Sequence, residues 1–285
     1  METSRFSVSA PPRTAMTQDN RPVNLDFDLP AQPQSLVKLA ALLREDDINL
    51  NAIGSLIEGD MSFAVAVMKV VNSSLYGLKG RVQSVQQAVT YLGVREISAI
   101  AYETGLQAAF PQVPQLLAVW ERASLRGLLM GRLAQALSME AWSAHTAGLF
   151  EECGKAVLYR HAPEKYAPML ASARDDVQLA EMEREAFGCG HDDVGANLCE
   201  AWGLTPAAVA SVRHHVSIHT TGRLPRVSHR YICVLSALAH TIVNDPERLD
   251  EVAMKLAPQA MLDQTSLLRG LHRVKDKIDD ALASA

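Results

Sequence analysis

Two adjacent acids, Glu151 and Glu152, interrupt an apolar stretch that reads "AGLFEECGKAVLY", residues 147–159. A helix through this stretch would place at least one carboxylate against an apolar face. A buried carboxylate needs a partner, because burial otherwise favours its protonated form. The two acids therefore mark either a site of chemistry or a place where chemistry was once done.

The two acids have different expected surroundings. Glu151 lies four residues before Lys155, so the two are predicted to form a helix-surface pair worth about 0.2–0.5 kcal/mol. Glu152 is predicted to face apolar surroundings, because its neighbours on a helix are small or apolar. These neighbours are Gly148, Leu149, Ala156 and Tyr159.

Three histidines are further candidates for chemistry: His191, and the adjacent His214 and His215. Imidazole and carboxylate groups can bind zinc or manganese. Each histidine also has a structural explanation. His191 with Asp192 can begin a helix, and His214 and His215 close a predicted helix, where positive charge is favourable.

The composition excludes several classes of function. The 285 residues are 48% hydrophobic and carry a net charge of -5, which gives no electrostatic footprint for nucleic acid. Four widely spaced cysteines without a CxxC pair indicate reduced thiols and a cytoplasmic protein. The N-terminal residues lack an apolar segment, so we expect no secretory leader, and since no apolar run reaches about 18 residues we expect no membrane segment.

The periodicity of apolar residues is helical almost throughout, so the predicted fold class is all-α. Residues 1–28 are polar and predicted to be a flexible tail. Asp60 and Ser84 can cap the starts of helices, and residues 216–226 are predicted to form a surface loop. Helices are predicted from about Val85, and at 94–109, 115–138, 141–160, 163–173, 177–187, 191–202, 206–215, 227–244 and 258–284.

Four ordered stretches resemble the HDOD family, the "HD-related output domain" of bacterial signalling proteins. They are "LPAQPQSLVKLAALL", "VMKVVNSSLYGLKGRVQSVQQAVTYLG", "GLFEECGKAVL" and "FGCGHDDVGANLCEAWGLTPAAVASVRHH". The resemblance implies an HD-like helical domain over residues 29–240, with an N-terminal helical lobe (29–109) and a degenerate HD-like lobe (110–240). Residues 241–285 are predicted to form a C-terminal helical extension.

The resemblance also implies which positions held metal in the ancestral hydrolases, where a metal-bound water attacks phosphorus. The family's His-Asp pair falls on Glu151 and Glu152, and an earlier histidine falls near Arg122. His191, His214 and His215 occupy three further ligand positions. The last ligand, an aspartate, should lie within "YICVLSALAHTI", which contains no acid.

Removal of the metal would leave unbalanced negative charge, which Arg122 can neutralise by pairing with Glu152. A guanidinium cannot ligate a metal, because it is always protonated. We therefore expect a vestigial site with no metal and no other cofactor. The alternative, a divalent metal held by Glu151, Glu152 and some of the histidines, stays open.

The loop "NSSLYG" also has two interpretations. Asn72, Ser73 and Ser74 can bond to the last carbonyls of the preceding helix and shape the loop. Alternatively the segment is a recognition loop that presents apolar side chains to a partner. The candidate interaction residues are Asn72, Ser73, Leu75, Tyr76 and Leu78.

The sequence therefore predicts a non-catalytic, cytoplasmic signal-transduction module that acts through protein–protein contacts, and not on nucleic acid or membranes. Its partner and oligomeric state are left open. Two alternatives remain: a metal-dependent HD-type phosphohydrolase with an altered metal site, and a sensor of a small anionic ligand that uses Arg122 in the vestigial pocket.

Overall fold

The computed structural model describes residues 27–43, 45, 49–72 and 80–283, with the backbone alone for 277–283. This part of the chain is built of α-helices and contains no β-strand, which confirms the all-α prediction. The helices are α1 (Gln34–Leu42), α2 (Leu50–Glu58), α3 (Met61–Val71), α4 (Val85–Ala108), α5 (Leu117–Ala136), α6 (Ala141–Phe150), α7 (Cys153–His161), α8 (Pro163–Ser172), α9 (Asp176–Phe187), α10 (His191–Ala201), α11 (Pro206–Thr221), α12 (Arg230–Asn244), α13 (Leu249–Leu256) and α14 (Gln264–Ala283). Single 3-10 turns lie at Pro114–Leu116, Pro246–Arg248 and Pro258–Ala260.

Both predicted caps in the N-terminal half are present. The Asp60 carboxylate accepts from two backbone amides of the first turn of α3, and the Ser84 hydroxyl accepts from the backbone amide of Gln87 in α4. Each cap satisfies amides that have no partner within the helix. The two helices predicted on either side of residue 93 form one run, α4, with a kink at Gly93. There φ is 78°, a conformation that suits glycine.

The single helix predicted over 141–160 is wrong. It is interrupted at Glu151 and Glu152, where α6 ends and α7 begins. Here the backbone amide of Lys155 donates to the carbonyl of Glu152, an i to i+3 bond typical of a tighter turn. The interruption shifts the side chains after it relative to those of α6, which decides what Lys155 contacts.

Two predictions in the C-terminal region are also wrong. The predicted loop at 216–226 is helical up to Thr221, because Val216 and Ile218 are buried and extend the apolar face of α11. Helix α13 was not predicted. The helix predicted from residue 258 instead begins at Gln264, after Asp263, whose carboxylate accepts from the amide of Ser266.

The buried apolar residues form two clusters. The first joins α1–α4 with α6, α7 and α10, so that Leu106 and Phe150, from the two predicted lobes, belong to one core. The second lies between α5, α6 and α11–α14. Glycines at the contact of α5 and α6 permit a close approach, since a Cβ at Gly148 would lie 2.6 Å from the Arg126 carbonyl oxygen. No helix in the described ranges is both long and apolar enough to cross a bilayer.

Candidate functional site: a buried cluster of ion pairs

Arg126, on α5, lies at the centre of a buried cluster of three acids. Its Nη1 donates to Glu151 Oε2 at 2.8 Å, and its Nη2 donates to Asp176 Oδ2 at 2.8 Å. Its Nε lies 3.2 Å from Glu152 Oε1, an ion pair without hydrogen-bond geometry. Burial opposes the charge of Arg126, but the three carboxylates outweigh burial and raise its pKa.

Lys155 is the second cation of the cluster and is fully buried. Its Nζ donates to Glu152 Oε2 and to Asp176 Oδ1, both at 2.7 Å. The predicted surface pair between Glu151 and Lys155 is therefore wrong. The prediction assumed an unbroken helix, and the interruption at residues 151 and 152 brings Lys155 to the start of α9 instead.

The cations determine the protonation of two of the acids. Burial alone would raise the pKa of Asp176, but Lys155 and Arg126 hold it well below its usual range. Burial likewise opposes the charge of Glu152, yet Lys155 is the largest influence that lowers its pKa. Both acids are therefore ionised at neutral pH.

Glu151 is in a less favourable position for a charge. Burial raises its pKa, and Arg126 is the largest influence in the other direction. Its Oε1 accepts from Ser211 Oγ at 2.9 Å. The two adjacent acids thus have separate surroundings: Glu151 contacts Arg126 and a hydroxyl, whereas Glu152 faces several cations.

Arg122 lies one helical turn before Arg126 on α5. Its Nε donates to Glu152 Oε2 at 3.2 Å, so the pairing predicted from the sequence is present. Its side chain is 42% exposed, in contrast to the 5% of Arg126. Arg122 is therefore the outer cation of Glu152, and the inner ones are Arg126 and Lys155.

A chain of hydrogen bonds through two of the predicted histidines lies beside the ion pairs. His191 Nδ1 lies 2.7 Å from Glu183 Oε2, and Tyr166 donates to the other oxygen of Glu183. His191 Nε2 lies 3.2 Å from His215 Nε2, and His215 Nδ1 lies 2.6 Å from the carbonyl oxygen of Val212. All these side chains are buried.

The two histidines differ in their protonation. Burial disfavours the charged form of His191, but Glu183 outweighs burial and raises its pKa. Burial, followed by the charge of His191, lowers the pKa of His215 well below its usual range. A protonated His191 can therefore donate through Nε2 to a neutral His215.

One group in the described part of the chain has the spacing of metal ligands. Asp176, His191 and His215 each offer one ligand atom, and these atoms lie within 4.8 Å of one another. Both histidines hold Nδ1 on an oxygen acceptor, which is how proteins orient metal-binding imidazoles. However, both oxygens of Asp176 are bound to the cations of Lys155 and Arg126. The carboxylate of this group therefore already binds two cationic side chains.

The remaining predicted site residues lie apart from this group. His214 is half-buried on α11 and is not part of the ligand-like group. Sequence reasoning missed Arg126, Lys155 and Asp176 as members of the cluster. A signal for Arg126 existed, since it follows Arg122 by four residues and so shares its helix face. A signal for Asp176 did not, because an acid in a first helical turn is common.

Of the candidate interaction loop, Asn72 lies within the described residues. Its side-chain nitrogen donates to the carbonyls of Met68 and Val82, and its side-chain oxygen accepts from the amide of Gly80. Asn72 therefore joins the two ends of the loop, in agreement with the interpretation that it shapes the loop. Ser73, Leu75, Tyr76 and Leu78 lie outside the described residues.

Comparison with known proteins places this geometry in a family. The model of the HDOD domain matches residues 29–218. A curated but uncharacterised protein of Treponema pallidum is 25% identical over 219 residues, which are 74% of this chain and 41% of that protein. The chain thus spans less than half the length of this curated relative.

Solved structures share the fold at low sequence identity. A candidate phosphohydrolase from Shewanella amazonensis SB2B is 20% identical, with a TM-score of 0.65 over 89% of this chain and 95% of that one. A candidate signal transduction protein from Marinobacter aquaeolei VT8 is 22% identical, with a TM-score of 0.67 over 90% and 59%. An HDOD domain protein of unknown function from Geobacter sulfurreducens is 17% identical, with a TM-score of 0.66 over 89% and 93%. The helical fold and the match over more than half of its length show that this chain belongs to the HDOD family.

Proposed function

We propose that this protein is a non-catalytic signal-transduction module that acts through protein–protein contacts. The observation that supports this most directly is the engagement of Asp176, whose two oxygens lie 2.7 Å from Lys155 Nζ and 2.8 Å from Arg126 Nη2. HD-type hydrolysis needs a metal that lowers the pKa of a bound water. Lys155 and Arg126 neutralise the acid that such a metal would use, and their charges repel a metal cation.

The cluster then has a structural role. Three acids, Glu151, Glu152 and Asp176, face the cations Arg126 and Lys155 in the interior and Arg122 at its edge. A buried charge that loses its partner costs several kcal/mol. The cluster therefore ties α5, α7 and α9 together in one arrangement. With no reaction to perform, any output of the module comes from its surface, which a partner protein would recognise.

A second candidate, a metal-dependent phosphohydrolase, has one observation in its favour. His191 Nε2 and His215 Nε2 lie 3.2 Å apart, close to Asp176. On this alternative, a metal would have to displace Lys155 from Asp176. The third hypothesis, an anion sensor based on Arg122, would require the ligand to compete with Glu152 for that guanidinium.

Metal content and hydrolysis distinguish the proposal from the phosphohydrolase. We expect the purified protein, after dialysis against buffer without metals, to hold no stoichiometric zinc, manganese or iron by mass spectrometry. With added Mn²⁺, Mg²⁺ or Zn²⁺ we expect wild type to hydrolyse p-nitrophenyl phosphate, bis-p-nitrophenyl phosphate and cyclic dinucleotides no faster than His191→Ala. Metal-dependent turnover that is lost in His191→Ala and in Asp176→Ala, but kept in the exposed control His229→Ala, would overturn the proposal.

The proposed protein–protein contact is tested by affinity capture from the source cell. Affinity capture with wild type and with His191→Ala is expected to retain the same signalling protein, because no catalytic group takes part in the contact. A partner that binds wild type but not a folded His191→Ala variant would show that binding depends on the buried site, and would contradict the proposal that the surface alone is recognised.

A further inference from the structure

A cavity of about 700 Å³ lies between α4 and α5, away from the ion pairs. Helix α5 lines it with Ser124 and Leu128, whereas Arg122 and Arg126 belong to the cluster. Residues two apart lie about 200° from each other around a helix, so the two sites are on opposite faces of α5. The volume is within the range of about 300–1,000 Å³ that is usual for small-molecule sites.

Aromatic side chains form part of the cavity wall. Tyr102 and Trp142 meet edge to face with ring centroids 5.4 Å apart, and Trp202 also lines the cavity. Trp142 also stacks on His145, with centroids 6.0 Å apart. Such a wall favours a ligand with an apolar or aromatic body, and the faces of these rings attract cations.

Glu103 is a half-buried acid of this cavity whose hydrogen-bond donors are uncharged. Its Oε1 accepts from Ser124 Oγ and from Gln107 Nε2, and both donors are neutral. Among the described residues, no cationic nitrogen lies within 4.0 Å of its carboxylate. Burial raises the pKa of Glu103, and the bond from Ser124 lowers it. A carboxylate in this position is more stable with a cation beside it.

The wall also carries two other acids, Glu96 and Glu140, and two arginines, Arg95 and Arg132. Glu140 caps α6 and accepts from the backbone amides of Trp142 and Ser143. Burial raises the pKa of Glu96, and the charge of Arg132 lowers it. Glu140 is exposed and Arg132 already acts on Glu96, so Glu103 is the half-buried acid of the three that has no cation acting on it and that a bound cation would complete.

We propose that this cavity binds a small organic cation with an apolar or aromatic body, whose ammonium group pairs with Glu103. The aromatic wall holds the body, and the carboxylate selects the charge. The proposal does not depend on the function of the ion-pair cluster. Helix α5 lies between the two sites, so an occupant of the cavity contacts the helix that carries Arg126.

Three indole compounds of similar size test the charge preference. Tryptamine is the cation, indole-3-ethanol the neutral analogue and indole-3-propionate the anion. By titration calorimetry near neutral pH, we expect wild type to bind tryptamine at least about tenfold more tightly than indole-3-ethanol, a difference of about 1.4 kcal/mol. The weakest binding is expected for indole-3-propionate. No binding of tryptamine, or tightest binding of indole-3-propionate, would overturn the proposal.

Variants locate the site. Glu103→Gln keeps the shape of the side chain and is expected to abolish the preference for tryptamine while affinity for indole-3-ethanol is unchanged. Glu121→Gln, an exposed position on α5, is the matched control and should bind as wild type does. Ala99→Phe, on the cavity wall, should weaken binding of both compounds and serves as the second variant if Glu103→Gln does not fold. An unchanged preference in Glu103→Gln, or unchanged tryptamine affinity in Ala99→Phe, would contradict the assignment.

Discussion

Lys155 Nζ lies 2.7 Å from Asp176 Oδ1, although 21 residues separate the two in the sequence and the lysine has no exposed surface. The same ammonium bonds to Glu152 at 2.7 Å. A fully buried lysine is rare unless its charge is paired. Here the pairing with two acids connects α7 to α9, so the lysine is a structural cation between the two helices.

Lys155→Met should destabilise the protein strongly. The substitution retains much of the side-chain volume but leaves Glu152 and Asp176 with one buried cation fewer. We expect a loss of about 3–5 kcal/mol in the free energy of unfolding, measured by urea denaturation. Lys38→Met, at an exposed position of α1, is the control and should change stability by no more than about 0.5 kcal/mol. Equal effects of the two substitutions would show that the buried pairing contributes nothing.

Arg126→Met and Arg122→Met should differ, although both arginines contact Glu152. Arg126 is buried and faces three acids, so its removal is expected to cost about 3–5 kcal/mol. Arg122 is 42% exposed, and solvent screens its charge, so its removal should cost no more than about 1 kcal/mol. Urea denaturation of the two variants under identical conditions measures the difference. A larger loss for Arg122→Met would mean that the outer pair dominates the cluster.

Sequence reasoning found the pair Arg122–Glu152 through the family resemblance, and it found the helical class through periodicity. It placed Lys155 wrongly because a spacing of four residues identifies neighbouring side chains only in an unbroken helix. The turn at Glu151 and Glu152 contains no glycine or proline from which a helix break could be predicted. Asp176 was missed for another reason. Its partners are 50 and 21 residues away, and nothing local distinguishes it from an ordinary acid in the first turn of a helix.

His145 should make the protein less stable as the pH falls below neutral. Burial lowers the pKa of His145 from 6.5 to about 4. Between these two pH values His145 is therefore protonated in the unfolded chain and neutral in the folded protein. Stability is then fully present above pH 6.5 and is lost as the pH falls towards 4. We expect His145 to account for a loss on the order of 2 kcal/mol between neutral pH and about pH 5.

Comparison of His145→Gln with wild type measures this contribution. The difference in the free energy of unfolding between neutral pH and about pH 5 should shrink in the variant by on the order of 2 kcal/mol. His229→Gln, at an exposed position, is the matched control and should keep the pH dependence of wild type. A pH dependence that is identical in wild type and His145→Gln would show that His145 does not stay neutral in the fold.

Gly154→Ala should damage the fold, since Gly154 lies where α7 meets α10. A Cβ at this position would lie 1.9 Å from the carbonyl oxygen of His191, a contact that side-chain rotation cannot relieve because both atoms are fixed to the backbone. Lys155 follows Gly154 on α7, and His191 is the first residue of α10, so separation of the two helices would move both side chains. We therefore expect a loss of more than about 3 kcal/mol, or no folded protein, although alanine normally stabilises a helix interior relative to glycine.

Gly131→Ala on α5 is the matched control. Its Cβ would lie 3.2 Å from the Cβ of His145, which a shift of a few tenths of an ångström relieves, so we expect a change within about 1 kcal/mol. Thermal unfolding followed by circular dichroism measures both variants, and a Gly154→Ala protein as stable as wild type would refute the close packing of α7 on α10 that holds the cluster together.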